Sequence, residues 1–155
     1  MSLKPPSPDN LTKINQKDLD EIIDKHTRFT QGQRGGARAS LKFMDLSGLD
    51  FKQCDLSHAD FTGSLLRRAD LSGGIFRSSC FFACDLHNAN LEQAKFERAD
   101  FRGAYVAGAN LSGADLDSAD LREGKIMQND GDGGLQNSKD RQSFNAVFSL
   151  SLIHI

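Results

Sequence analysis

Cys80 and Cys84, four residues apart, could supply half of a zinc site, because thiolates at short spacing chelate that ion. No further Cys or His stands at metal spacing, so no metal is expected. His26, His58, His87 and His154 could move protons near neutral pH, but they are dispersed and each reads as a surface histidine. Asn129-Asp130-Gly131-Asp132-Gly133-Gly134 is similar to part of a calcium loop. It lacks the ligand spacing and closing Glu of such a loop, and reads as a flexible exit. What does recur is carboxylate: Asp45, Asp50, Asp55, Asp60, Asp70, Asp85, Asp100, Asp115 and Asp120, with Asn90 and Asn110 in the same series. Such a row either keeps a face soluble and bonds local backbone, or presents negative charge to a partner. Neither role is catalytic, and no cofactor and no enzyme activity are expected.

The acids fall on a period of five, and the elements beneath them keep it. The next place in the period is a large apolar residue throughout, from Leu41, Leu46 and Phe51 through Phe61, Phe81 and Phe101 to Leu121 and Ile126. That makes 18 in a row without a phase slip. Two places before each of these sits a mostly small residue, such as Ala59, Ala69, Ala89 and Ala99; Cys54 and Cys84 fall in this series, whereas Cys80 faces outward. A helix would advance such a series by about 500° per step and scatter it over every face. The period suits short straight sides of a coil, with large and small residues alternating inward and coils stacking at about 4.8 Å. Such a packed interior leaves no pocket for a substrate.

The motif Ala-Asp/Asn-Leu/Phe, as in Ala59-Asp60-Phe61, Ala89-Asn90-Leu91 and Ala119-Asp120-Leu121, resembles the pentapeptide-repeat family across residues 39–128. The resemblance implies an all-β solenoid: a right-handed quadrilateral β-helix with four pentapeptides per coil, hence about 4.5 coils. Residues 20 apart should then stack, with Leu41, Phe61, Phe81, Phe101 and Leu121 in one inner file. The expected organisation has a disordered or extended leader over 1–14, a capping α-helix and Gly-rich connector over 15–38, the β-helix over 39–128, and a tail over 129–155. That tail reads as flexible, and its alternating Phe144–Ile155 stretch as either strand-forming or foreign to the chain. The helix should span 16–30 and cover the first coil, with Asn15 as N-cap, an Ile14–Leu19 staple, and Leu19, Ile22, Ile23 and His26 along one apolar-edged face at helical spacing.

Of the 155 residues, 19 Lys and Arg against 21 Asp and Glu leave a net charge of -2. That balance favours neither nucleic-acid nor membrane binding. No apolar run spans a bilayer, no signal peptide is evident, and three cysteines, an odd number, suit reduced thiols, so a cytoplasmic location is expected. The resemblance adds a bacterial origin. The expected function is non-catalytic, a rigid scaffold for an unidentified protein partner. The proposed contact is an apolar patch edged by arginine: Leu65, Phe82 and Tyr105 facing solvent, with Arg67, Arg68 and Arg102 beside them. Self-association through the open last coil or tail is a second option. The alternative function, implied by some members of the family, is a DNA-mimicking modulator of DNA gyrase or another topoisomerase. Residues 39–128 carry 13 acidic and 10 basic residues, too balanced a surface to imitate a duplex well.

Overall fold

Stacking every twentieth residue turns the five-residue period into a square. A computed structural model describes residues 8–122. Parallel bridges within it join only residues 20 apart outside its two short strands, in four files. The first file runs Ser40, Asp60, Cys80, Asp100 and Asp120. The others contain Asp45–Leu65–Asp85–Tyr105, Asp50–Asp70–Asn90–Asn110 and Asp55–Ile75–Lys95–Asp115. The fold is a right-handed quadrilateral β-helix. From Asp60 onward each bridge residue sends both backbone groups to the coil below: Asp60 donates to the Ala39 carbonyl at 3.2 Å and accepts from the Leu41 N–H at 2.7 Å.

At the corners from Leu46 onward the large residue's carbonyl accepts from the N–H three places on, as Phe61 does from Ser64 at 3.0 Å, whereas at the first corner the Ser64 hydroxyl stands between Met44 N–H and the Leu41 carbonyl. The third residue of such turns has positive φ, as a type II turn requires. Gly63 (φ 68°) holds one such place, but Ala83 (φ 55°) and Arg98 (φ 60°) hold others at a steric cost. The outward acids contribute to these corners. Every Asp and Asn of the series accepts the N–H two residues on through Oδ1, for example Thr62 N to Asp60 at 3.0 Å and Ser112 N to Asn110 at 3.1 Å.

Inside, Phe81 lies parallel to Phe61 at 4.6 Å and to Phe101 at 5.0 Å between centroids. Phe76 and Phe96 stack on the fourth side at 5.3 Å, and Phe81 meets both edge-on. The small inward positions are mostly buried, and polar ones there bond the carbonyl of a large residue one coil below. Ser79 Oγ donates to the Leu56 carbonyl and Cys84 Sγ to that of Phe61, both at 2.8 Å. Burial pushes the Cys84 thiol pKa up, so it behaves as a small core residue rather than a nucleophile.

The first coil is sealed from below by the N-terminal segment. After a 3-10 turn at Pro8–Asn10, β1 (Thr12–Lys13) pairs in parallel with β2 (Met44–Asp45). The expected leader is therefore extended at Thr12–Lys13, and it is joined to the solenoid rather than free of it. Helix α1 (Gln16–Thr30) matches the expected span; the Asn15 side chain caps it by accepting from Asp18 N at 2.9 Å. Leu19 and His26 are buried, and Ile14, Ile22 and Ile23 pack against the core. Gln16 acts as a substitute strand: its amide Nε2 donates to the Asp50 carbonyl and its Oε1 accepts the Asp50 N–H, each at 2.9 Å. His26 is not the surface histidine expected. Its Nδ1 accepts the Ala39 N–H and its Nε2 donates to the Ser57 carbonyl, each at 2.9 Å, clipping α1 to two sides of the coil. Because a backbone N–H only donates, Nδ1 must be unprotonated and the ring neutral. Burial lowers its pKa in agreement. The eighteenth apolar position, Ile126, the calcium-like loop and the tail lie outside the described residues.

Candidate protein-binding face

The second side of the coil and its preceding corner hold the residues expected to bind a partner. The structure divides them into two groups. At the corner, Phe82 is half-buried, with the Arg102 guanidinium 5.4 Å from its ring centroid. Arg102 is fixed there by chelating Asp100, Nε to Oδ1 at 2.9 Å and Nη2 to Oδ2 at 2.7 Å, with Asp120 Oδ2 3.8 Å away. The hydrogen bond to Asp100 raises its pKa. A rigid, always-charged guanidinium over an aromatic face is an arrangement suited to protein contact.

On the adjacent flat, Leu65 corrects the sequence expectation. It was expected to face solvent and is 1% exposed. It lines a hollow of about 440 Å³ together with Asp45, Ser47, Arg67, Arg68 and His87. Leu65 therefore offers no apolar contact area. Arg68 is exposed, while Arg67 and Tyr105 are half-buried. Tyr105 joins the group through its ring, which lies over His87 with centroids 6.1 Å apart and planes 19° apart.

Asp85 organises this flat; in the sequence it is one acid of the recurring series and His87 one of four dispersed histidines, and nothing joins the two. Its carboxylate is fully buried; Oδ2 accepts from Arg67 Nε at 2.5 Å, while Oδ1 accepts the His87 N–H at 3.1 Å and also bonds His87 Nδ1. A buried charge needs such partners. The readable signal was the side chain two places after each acid. Ser57, Thr62 and Ser72 bond their acids by hydroxyl, and Arg102 and Arg122 by guanidinium. His87 is the imidazole version of that rule.

Elsewhere the acids are largely tied up. Lys42 lies 3.9 Å from Asp60, Lys52 lies 3.9 Å from Asp70, and Arg122 holds Asp120 at 2.7 Å. The Arg122 hydrogen bond keeps the Asp120 carboxyl below its usual range. No group of three or more His, Cys, Asp or Glu among the described residues could hold a metal ion. No helix there is long and apolar enough to cross a membrane.

Comparison with known proteins adds the context. A search of curated proteins found no match. Among solved structures, a pentapeptide repeat protein from the Arabidopsis thaliana thylakoid lumen is 30% identical, over 61% of this chain and 70% of that one, with a TM-score of 0.42. The pentapeptide repeat protein Rfr23 from the cyanobacterium Cyanothece 51142 is 28% identical over 52% and 57%, with a TM-score of 0.33. HetL from Nostoc sp. PCC 7120, involved in heterocyst differentiation regulation, is 28% identical over 54% and 43%, at 0.30. The chain thus spans less than two thirds of the last two. The family model for pentapeptide repeats matches eight copies across residues 37–81 and 84–122, more than half of the sequence. With its twenty-residue coils and inward Phe and Leu files, the chain belongs to the pentapeptide repeat family.

Proposed function

We propose that this chain is a non-catalytic scaffold that presents the second side of its β-helix, and the corner before it, to another protein. The observation that carries the reading is the fixed geometry of Arg102 over Phe82, beside a flat where buried Asp85 holds Arg67 and His87. Aromatic and arginine side chains held in one rotamer lose little entropy on binding and make effective contact centres. The interior supports a structural role, since its Phe and Leu files fill the space in which a deep substrate site would lie. Cytoplasmic location, bacterial origin and self-association through the C-terminal end belong to the same proposal.

The topoisomerase-directed alternative finds less support on this surface. Its acids turn one oxygen to their own backbone, and several face Lys or Arg. A duplex instead offers unpaired charge at about one per 1.7 Å. The test is affinity capture from the native extract with the wild type and with a Phe82→Asp/Tyr105→Asp double variant, both checked for folding. The reading expects a discrete partner retained by the wild type and lost by the variant. An identical captured set, or inhibition of gyrase supercoiling by the purified protein, would overturn it.

A further inference from the structure

The hollow above Leu65 is built differently from the other arginine-bearing parts of the solenoid. Arg102 and Arg122 spend Nε and Nη2 together on their own acids. Arg67 gives only Nε to Asp85, and His87 meets the same carboxylate with Nδ1. One buried acid thereby fixes two side chains while leaving the Arg67 Nη groups and His87 Nε2 without a hydrogen-bond partner among the described residues. Ser47, Arg67 and His87 are 20 residues apart, in one vertical file of the coil. Neighbours in that file are separated by about one strand spacing, 4.8 Å. Two donor groups at that spacing can close on the oxygens of one oxyanion, with the Ser47 hydroxyl and Arg68 at the margin. Tyr105 holds the imidazole plane from the coil above. Both donors are accessible, with Arg67 41% and His87 37% exposed against 0% for Asp85.

We propose that this hollow receives an oxyanion, a carboxylate or phosphate on a partner protein's side chain, gripped by Arg67 and by His87 as the imidazolium, since Nδ1–H is spent on Asp85 and Nε2 donates only in the doubly protonated ring, with Asp85 aligning both as a positioning residue. The proposal deepens the binding-face reading and rests on it. Asp45 also lines the hollow and opposes an anion, which gives the site a signature of its own. Its Oδ1 accepts the Ser47 N–H at 3.1 Å, a role the asparagines at 90 and 110 fill in their turns. Asp45→Asn therefore keeps the turn and removes the opposing charge.

Titration of the full chain with O-phosphoserine and, separately, N-acetylaspartate, followed by NMR at the His87 ring and Arg67 side chain, tests this. The expected result is saturable shifts at both residues, with the favoured ligand naming the source of the oxyanion. Binding should weaken about tenfold in Arg67→Lys, which keeps the charge but loses the fork. It should tighten about threefold in Asp45→Asn, the order of effect of removing one like charge that acts through solvent. Absence of shifts with both ligands, or equal affinity in Arg67→Lys and wild type, would overturn the site. If the partner is still lost by Phe82→Asp/Tyr105→Asp while neither ligand shifts His87, the oxyanion site fails and the scaffold reading stands.

Discussion

Replacing Phe81 with Ala, beside a Phe82→Ala control, separates two neighbouring residues of the same type that the five-residue register places oppositely. Phe81 is fully buried, in parallel stacks at 4.6 and 5.0 Å and edge contacts at 5.8 and 5.6 Å with Phe76 and Phe96. Truncating a buried Phe costs about 3–5 kcal/mol through lost transfer energy and the cavity left behind. Each lost aromatic pair adds about 0.5–1.5 kcal/mol. With four such pairs, a loss of about 5 kcal/mol or more follows, comparable with the whole stability of many domains. Because coils are stabilised by their neighbours, the defect falls on the coils above and below as well. Phe82 is half-buried and its specific contact is the Arg102 guanidinium, so its truncation should cost about 1 kcal/mol or less. Urea unfolding followed by far-UV circular dichroism measures both. A Phe82→Ala cost equal to or above that of Phe81→Ala would refute the inward register.

Other consequences follow from single contacts. His26 is neutral when folded and its pKa is depressed, so the unfolded chain binds more protons between the folded pKa and about 6.5. The His26 contribution to stability is thus complete above pH 6.5 and falls below it by up to about 1.4 kcal/mol per pH unit, and thermal melts of His26→Gln should show a flatter pH dependence than wild type. At the corners, Ala83→Gly relieves a positive φ and should stabilise by about 1 kcal/mol. Gly108→Ala should destabilise, since φ there is 71°, a conformation that an L side chain strains; chemical denaturation reads both signs. Asp70→Asn should leave stability nearly unchanged, because the amide oxygen can still accept the Ser72 N–H. Asp70→Ala should cost about 1 kcal/mol in the same assay.

The inner files were readable because position within the repeat alone decides what points inward: Phe61, Phe81 and Phe101 need no knowledge of their neighbours. Helix α1 was readable for a similarly local reason, an Asn15 cap followed by apolar residues at helical spacing. Leu65 was misread because the same positional rule takes no account of side-chain length. Its outward position is 1% exposed and lines a hollow with residues of its own coil and both neighbouring coils, Asp45, Arg67 and His87 among them. His26 was misread because its two bonds go to Ala39 and Ser57, distant partners that no spacing announces. Asp85 and His87 obey a two-residue rule written throughout the acids of the series, but its meaning appears only when the side chains are seen folded back onto them.

The stacking of residues twenty apart underlies every site described above, and Cys80 gives direct access to it. Asp60 is its bridge partner one coil below, so Asp60→Cys places two thiols in adjacent positions of one file. Parallel strands at about 4.8 Å fall within the Cα separation a disulfide tolerates. Mild oxidation followed by peptide mass mapping should find a 60–80 disulfide in Asp60→Cys, whereas Asp70→Cys, which lies in another file, should leave Cys80 free. Cross-linking of Cys80 from position 70, or none from position 60 in a folded protein, would contradict the coil.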